Sequence, residues 1–378
     1  MMSLCWTPSF PCTDLFQPRP VHRCQGSTMP MSSSTVAPLN VTEMPREVCE
    51  NSHVISVEAI ISFCKFSDSA LFVLTIISSI LQVFVMCQAV HNIRRRSSDK
   101  CMHVFLLSMT FADFILTAVG YPIELLPRVG VIPKVPYYVS VTMHMLCWMG
   151  LSISSFSLVL LNVDKLFYFR FPLRYSTYFT RFRAICVVSL CWAGCALFVI
   201  FAWITKSFNC VDEDCATLAI FPNKMHIYLT FMIVVGVIPT LTSLAVALYL
   251  LKVVTAHRKQ MAEERALCQD TTGRRQSTQF TTRLRTFYFI FMTTIFTAMT
   301  LLPYRIVSLQ RAVNPSQSHT CLSILFFWIL MYMIYLNSIF NPLITVTVLP
   351  QYRCRLINMI FFGKAKKEED KTFRSTEL

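Results

Sequence analysis

The sequence predicts an all-α membrane protein, a seven-transmembrane helix bundle with an amphipathic helix after helix seven, and three observations carry that prediction. Of 378 residues, 54% are hydrophobic and only 14% charged, with a mean hydropathy of +0.53. Seven segments, at about 69–92, 102–126, 137–168, 183–205, 224–254, 281–310 and 318–345, reach the roughly 20 apolar residues that crossing a hydrocarbon core requires. Lys and Arg are unevenly spread between these segments. With the N-terminus outside, the inner connections and the tail hold 24 of the 34 basic residues, the bias of a cytoplasmic face. The net charge of +14 therefore reports topology. No single basic face supports nucleic-acid binding.

Three regions follow: a flexible extracellular N-terminal tail (1–67), the seven-transmembrane domain (68–348), and an amphipathic helix with a cytoplasmic tail (349–378). The first region is rich in Pro, Ser, Thr and Met and lacks a cleavable signal peptide, so helix one is expected to act as a signal anchor. Asn40-Val41-Thr42 is a glycosylation sequon on the outer side, whereas Pro315 disqualifies Asn314-Pro315-Ser316. Eight of the 16 cysteines, Cys5, Cys12, Cys24, Cys49, Cys64, Cys210, Cys215 and Cys321, fall outside, where oxidising surroundings allow pairing. Their connectivity stays open.

Helix one ends at Arg94-Arg95-Arg96, a stop that suits anionic inner-leaflet lipid. Helix two places Asp113 near mid-membrane and Glu124 farther out, with Tyr121-Pro122 as an expected kink. A carboxylate inside a membrane is expensive and marks either a functional site or a protonated structural acid. Helix three carries His144, Cys147, Trp148 and Ser154, then ends in Asp164-Lys165. Helix four is marked by Trp192, and helix five by Pro239, whose missing amide favours a local bulge. The connection 252–285 is expected to extend helices five and six into the cytoplasm, and its Arg275 and Ser277 fit a basic-directed phosphorylation site or a solvated loop equally well. Helix six should kink at Pro303, just inward of Arg305, a cation that needs an acid, a cavity or a ligand at that depth. Helix seven contains Tyr335, Asn337, Ser338 and Asn341-Pro342. Residues 351–362 alternate basic and apolar at helical spacing and should lie along membrane lipid, with Cys354 available for palmitoylation.

In order and spacing, Asp113, Asp164-Lys165, Trp192, Pro239, Pro303 and Asn341-Pro342 resemble the landmarks of the rhodopsin-like family of G-protein-coupled receptors. The resemblance covers about residues 69–362. It implies a plasma-membrane receptor with an outward ligand pocket between helices two, three, five, six and seven, and a cytoplasmic cleft that binds a heterotrimeric G protein when helix six swings away. It also implies a buried sodium site at Asp113, Ser154, Asn337 and Ser338, and a G-protein switch built on Asp164, Lys165, Asn341 and Pro342. No enzyme chemistry is implied. There is no metal-spaced His/Cys/Asp cluster or phosphate-cradling Gly loop, and the chain has only 8 glycines.

Departures from the family pattern bear on mechanism. Asp-Arg-Tyr reads Asp164-Lys165-Leu166, which loses the guanidinium fork. Thr345 replaces the tyrosine of Asn-Pro-x-x-Tyr, Ala247 replaces another in helix five, and Leu301 stands for the tryptophan before Pro303. Ser155 and Thr297 replace the apolar pair beside Pro239, and Arg283 stands where an acid would latch helix three to helix six. The usual helix-three cysteine position is Ser140, and Cys147 lies roughly 10 Å deeper at 1.5 Å per residue, too far for an undistorted bridge. Cys210, Cys215 and Cys321 remain the disulfide candidates. Cys147 also stands where amine receptors carry their aspartate, which disfavours a monoamine ligand.

The pocket candidates are Tyr121, Glu124, His144, Cys147, Trp148, Arg305 and Tyr335. Glu124 and Arg305 are expected either to pair with each other or to meet a ligand. Asp212-Glu213-Asp214 in the second outer loop could attract a basic peptide, and a peptide is the expected ligand. The terminal Ser375-Thr376-Glu377-Leu378 fits a PDZ-domain partner through Thr376 and Leu378. Two other classes stand beside the receptor: a heptahelical ligand-binding or scavenger protein that does not signal, and, more remotely, a transporter or channel, which repeated halves or Gly-broken half-helices would favour and which the sequence lacks.

Overall fold

The computed structural model describes residues 56–94, 100–129, 131, 136–210, 218–267, 273–313 and 321–352. Seven helices there are long and apolar enough to cross a membrane: Glu58–Arg94, Lys100–Leu126, Tyr137–Arg170, Arg181–Ile204, Met225–Gln260, Arg285–Val313 and Cys321–Val348, here called spans one to seven. The predicted all-α bundle is present. Its small exception is an antiparallel pair, β1 (Phe208–Cys210) and β2 (Leu218–Ile220), with Phe208 opposite Ile220 in the connection from span four to span five.

The first helix runs Val57–Arg94, about three turns longer on its outer side than the apolar run from residue 69. Lys65 and Asp68 break the hydropathy without breaking the helix, because Asp68 is buried against the bundle. The Ser56 hydroxyl caps its start by accepting from the Ala59 amide at 3.2 Å. At the end of the bundle opposite the β-hairpin, helices Ile238–Leu267 and Gly273–Val313 run past the apolar segments as expected.

Two prolines act on the turn that precedes them. Span two changes from α to π over Leu116–Gly120, with the Tyr121 amide reaching back to the Leu116 carbonyl, just before Pro122. Span five does the same over Phe231–Val237, with the Ile238 amide bonded to the Ile233 carbonyl just before Pro239. A proline has no amide to give and crowds the carbonyl four residues back, so a wider turn accommodates it. Pro303 and Pro342 sit inside continuous α-helix.

Burial is uneven. Span four turns most of its residues to the lipid and is tied inward by Trp192, whose indole N–H donates to Ser108 Oγ at 3.1 Å, itself bonded to Ser157 at 3.0 Å. Spans one, two and seven are joined by a polar seam. Gln82 Nε2 donates to the Ser338 carbonyl at 3.0 Å, Thr117 donates to Gln82 Oε1 at 2.7 Å, and Ser78 donates to the Ile339 carbonyl at 3.0 Å. Each partner would otherwise face hydrocarbon, so the seam fixes the register of three helices.

The seventh span is followed by a 3-10 turn, Pro350–Tyr352. Tyr352 is fully buried and its hydroxyl lies 2.7 Å from His103 Nδ1 of span two. Burial pushes the Tyr352 phenol above its ordinary range. The predicted amphipathic helix beyond this turn, including Cys354, lies outside the described residues, as do Asn40, Cys215, Asp212-Glu213-Asp214, Thr376 and Leu378.

Candidate functional site: an outer cavity above a buried polar core

All seven residues predicted to contact a ligand line one cavity of about 80 Å3 in the outer half of the bundle. Span two contributes Tyr121 and Glu124, span three His144, Cys147 and Trp148, span six Arg305, and span seven Tyr335. Tyr228, Phe231, Leu301 and Tyr304 complete much of the wall. The π turn in span five places Phe231 flat against Trp148, with ring centroids 4.0 Å apart and planes 11° from parallel. Phe208 of β1 packs edge-on to both Trp148 and His144, so the outer hairpin closes over this corner.

Glu124 and Arg305 do not pair with each other among the described residues, which corrects one of the two expectations for them. Glu124 Oε2 accepts from the Tyr335 hydroxyl at 2.8 Å, and Oε1 lies 3.8 Å from His144 Nδ1. Arg305 turns toward spans five and three instead. Its Nη1 donates to the Gly236 carbonyl and, at 2.8 Å, to Thr240 Oγ1, while Nη2 reaches Ser155 Oγ at 3.4 Å. Gly236 lets the arginine stem lie this close: a Cβ there would sit 3.1 Å from Arg305 Cδ. Arg305 is buried, 7% exposed, and among the described residues its hydrogen-bond partners are neutral.

Cys147 is buried and unbridged, as its depth predicts, and its sulfur lies where a Cβ on Gly120 would come within 2.5 Å. Cys321 is disulfide-bonded, and so is Cys64, now inside the first helix. Nothing is described for the side chain of Cys210.

Below the cavity sits the predicted cation site. Asp113 Oδ2 accepts from Asn341 Nδ2 at 2.7 Å, and the Ser154 and Ser338 hydroxyls face the same carboxylate. Oδ1 is buried with no direct hydrogen-bond partner. Asn337 does not join this group. Its amide donates to Thr297 at 3.1 Å and Thr300 at 3.0 Å, because neighbouring helical residues point about 100° apart and only Ser338 can face Asp113.

At the end of span three away from the cavity Lys165 Nζ lies 3.2 Å from Asp164 Oδ2, both side chains are buried, and Tyr175 of helix Pro172–Tyr178 donates to Asp164 Oδ1 at 2.7 Å. The predicted switch residues thus form a pair closed within span three and held by the inner loop. Asn341 joins Asp113 instead, and Pro342 lies buried in span seven. One contact between spans three and six was not anticipated. Asn162 Nδ2 donates to Thr294 Oγ1 at 2.8 Å, a neutral link deeper than Arg283, whose side chain is outside the described ones.

Comparison with known proteins agrees with this arrangement. The model of the seven-transmembrane receptor (rhodopsin family) matches residues 84–344. The G-protein coupled receptor aex-2 of Caenorhabditis elegans is 27% identical over 277 residues, which cover 72% of this chain and 76% of that protein. With seven membrane-spanning helices, a cavity at one end and a family match across most of its length, the chain belongs to the rhodopsin family of seven-transmembrane receptors.

Proposed function

We propose that this multi-pass cell-surface G-protein-coupled receptor, with its N-terminus outside, is switched by an extracellular peptide. The carrying observation is the cavity beside Arg305, a buried cation whose described partners are all neutral. A buried, uncompensated charge is costly and favours a ligand that brings the opposite charge. Cys147 offers a monoamine no counter-ion. A volume of about 80 Å3 compares with roughly 30 Å3 per liquid water, so only the tip of a peptide enters while the rest lies outside it. Binding would shift the population toward a packing in which span six moves outward and opens the cytoplasmic cleft to a G protein.

Charge reversal, Arg305→Glu, should abolish the response to an activating peptide in a library screen read by nucleotide exchange; an unchanged response would remove Arg305 from the site. The closed Asp164–Lys165 pair, with Thr345 and Leu301 in atypical positions, favours a second reading, a heptahelical binder that does not signal. Peptide binding without nucleotide exchange on any purified G protein would establish that one.

Asp113, Ser154 and Ser338 fit a sodium ion, since Asp113 Oδ1 has no direct partner and two hydroxyls face the carboxylate. Sodium would supply fixed positive charge that favours the inactive packing. Replacing sodium by a large organic cation should raise peptide affinity in the native protein and leave Asp113→Asn unaffected. Beyond the bundle, Cys354 would take a lipid anchor, and Thr376 with Leu378 would bind a PDZ domain; adding one residue after Leu378 should abolish capture by such a domain.

A further inference from the structure

Arg305 is more than a wall residue. Its guanidinium reaches across the interior and ties span six to span five, through the Gly236 carbonyl and Thr240, and to span three, through Ser155. Two features of span five build this contact. The π turn Phe231–Val237 contains Gly236, and the absence of a Cβ there lets Arg305 Cδ and Nε approach. Thr240 Oγ1 donates to the Gly236 carbonyl at 2.9 Å and accepts from Arg305, so the hydroxyl is fully committed. Arg305 also lines the cavity. One cation therefore faces two sets of partners, neutral oxygens on spans three and five and whatever enters from outside.

Resting on the peptide-receptor reading above, we propose that Arg305 is a ligand-released clamp, and that the group releasing it is a carboxylate, which takes the guanidinium from Gly236, Thr240 and Ser155. A carboxylate offers the planar two-oxygen face that a guanidinium binds bidentately, and it adds a full opposite charge that a carbonyl or hydroxyl oxygen lacks. A single monoanion can thus outcompete one carbonyl and two hydroxyls. Once Arg305 turns toward the ligand, span six loses its Arg305 ties to span five and to Ser155 of span three, while the Thr294 and Asn337 contacts remain. Binding and release are then one event, which gives the ligand the differential affinity for two packings that a population shift requires. The carboxylate could be the free C-terminus of a peptide or belong to a small organic acid, and the two sources are separable by experiment.

The test uses the full-length receptor in lipid nanodiscs with two readouts, nucleotide exchange on added G protein and the emission of a fluorescent unnatural amino acid at Arg285, the inner end of span six. The second does not depend on coupling. Gly236→Ala and Thr240→Val keep the cation but crowd or remove a clamp contact; Arg305→Gln removes the cation. Without ligand, each should shift the Arg285 signal toward the open state and raise basal exchange by about threefold, the effect of losing one membrane-buried hydrogen bond. Wild-type emission in all three variants would overturn the clamp. Shifted emission without any exchange would leave the clamp standing and overturn the signalling reading instead. For the ligand, matched peptide libraries with free C-terminal carboxylates or carboxamides, and a series of acids from acetate to hexanoate, are compared. Free-acid peptides at least about tenfold more potent than their amides, with the difference lost in Arg305→Gln, identify a peptide C-terminus. Activity confined to the short acids identifies a small-molecule source and overturns the peptide reading alone. Equal potency of acids and amides, or no response to either series, overturns the carboxylate assignment.

Discussion

At the scale of single residues, polar groups in apolar helices were the readable signal. Glu124, His144 and Arg305 stand out because each is expensive in hydrocarbon, and all three do line the cavity. Spacing alone could not tell how they would pair, since a long arginine chooses among carbonyls and hydroxyls on several helices. Gln82 was overlooked although an amide inside the apolar first span was visible. Asn162 and Thr294 gave weaker signals, because serine, threonine and asparagine satisfy themselves within a helix as readily as across one. Thr294→Val should weaken the tie between spans three and six and raise basal nucleotide exchange about threefold, a shift of the size that one buried membrane hydrogen bond supports. Tight packing makes a second prediction. Gly120→Ala should destabilise the receptor by about 1–3 kcal/mol, read as a lower melting temperature in detergent, because the new methyl meets Cys147 Sγ. Adding Cys147→Ala should restore most of that loss; failure to do so would locate the strain elsewhere.

At the scale of elements, the spans were legible from hydropathy and the bulge at Pro239 from its missing amide. The length of the first helix was not, since hydropathy averages over a window and Lys65 and Asp68 lower it below a membrane signal. Register needs the fold as well. That Ser338 faces Asp113 while Asn337 faces Thr297 depends on how span seven is rotated against span six. The two π turns follow one rule, a wide turn ending just before a proline, and each aims a cavity residue, Tyr121 after the first and Phe231 in the second. Pro239→Ala should let the span-five turn relax to α geometry, rotating Phe231 off Trp148 and carrying Gly236 away from Arg305. The expected outcome is a receptor that still reaches the cell surface but responds at least about tenfold less to its activating peptide, as positioning losses of this kind do. A wild-type response would show that the turn is kept without the proline.

At the scale of the whole molecule, the apolar core is not divided evenly. One large cluster fills the outer half and draws on all seven spans, span four through Ala202, with Phe208 of the hairpin. The inner half is split. Spans one, two, three, four, six and seven share a cluster that includes Phe289 and Ile290 of span six and extends to Tyr352, whereas Leu250, Val254 and Phe287 of spans five and six form a small cluster of their own, with Leu166 and Phe169 of span three packed on it. The small cluster is where span five meets the inner ends of spans three and six, while Phe289 and Ile290 hold span six to the larger inner cluster. Outward movement of the inner end of span six must open the small cluster and free these two residues as well. Leu250→Ala should therefore raise basal nucleotide exchange and lower the melting temperature, by an amount corresponding to about 2–5 kcal/mol for a buried leucine.

Asp164 and Lys165 are successive residues of one helix, and their contact is complete within it. Neighbouring helices can slide or tilt as rigid bodies without changing the distance between two adjacent residues. Such a pair stores no information about whether the bundle is open or shut. What can change is a bond that reaches the pair from another helix, the one from Tyr175 on the short helix that follows span three. The state of the switch is thus reported by that short helix, the surface a cytoplasmic partner would meet first, and a partner that draws Tyr175 toward itself would uncover the acid and its lysine together.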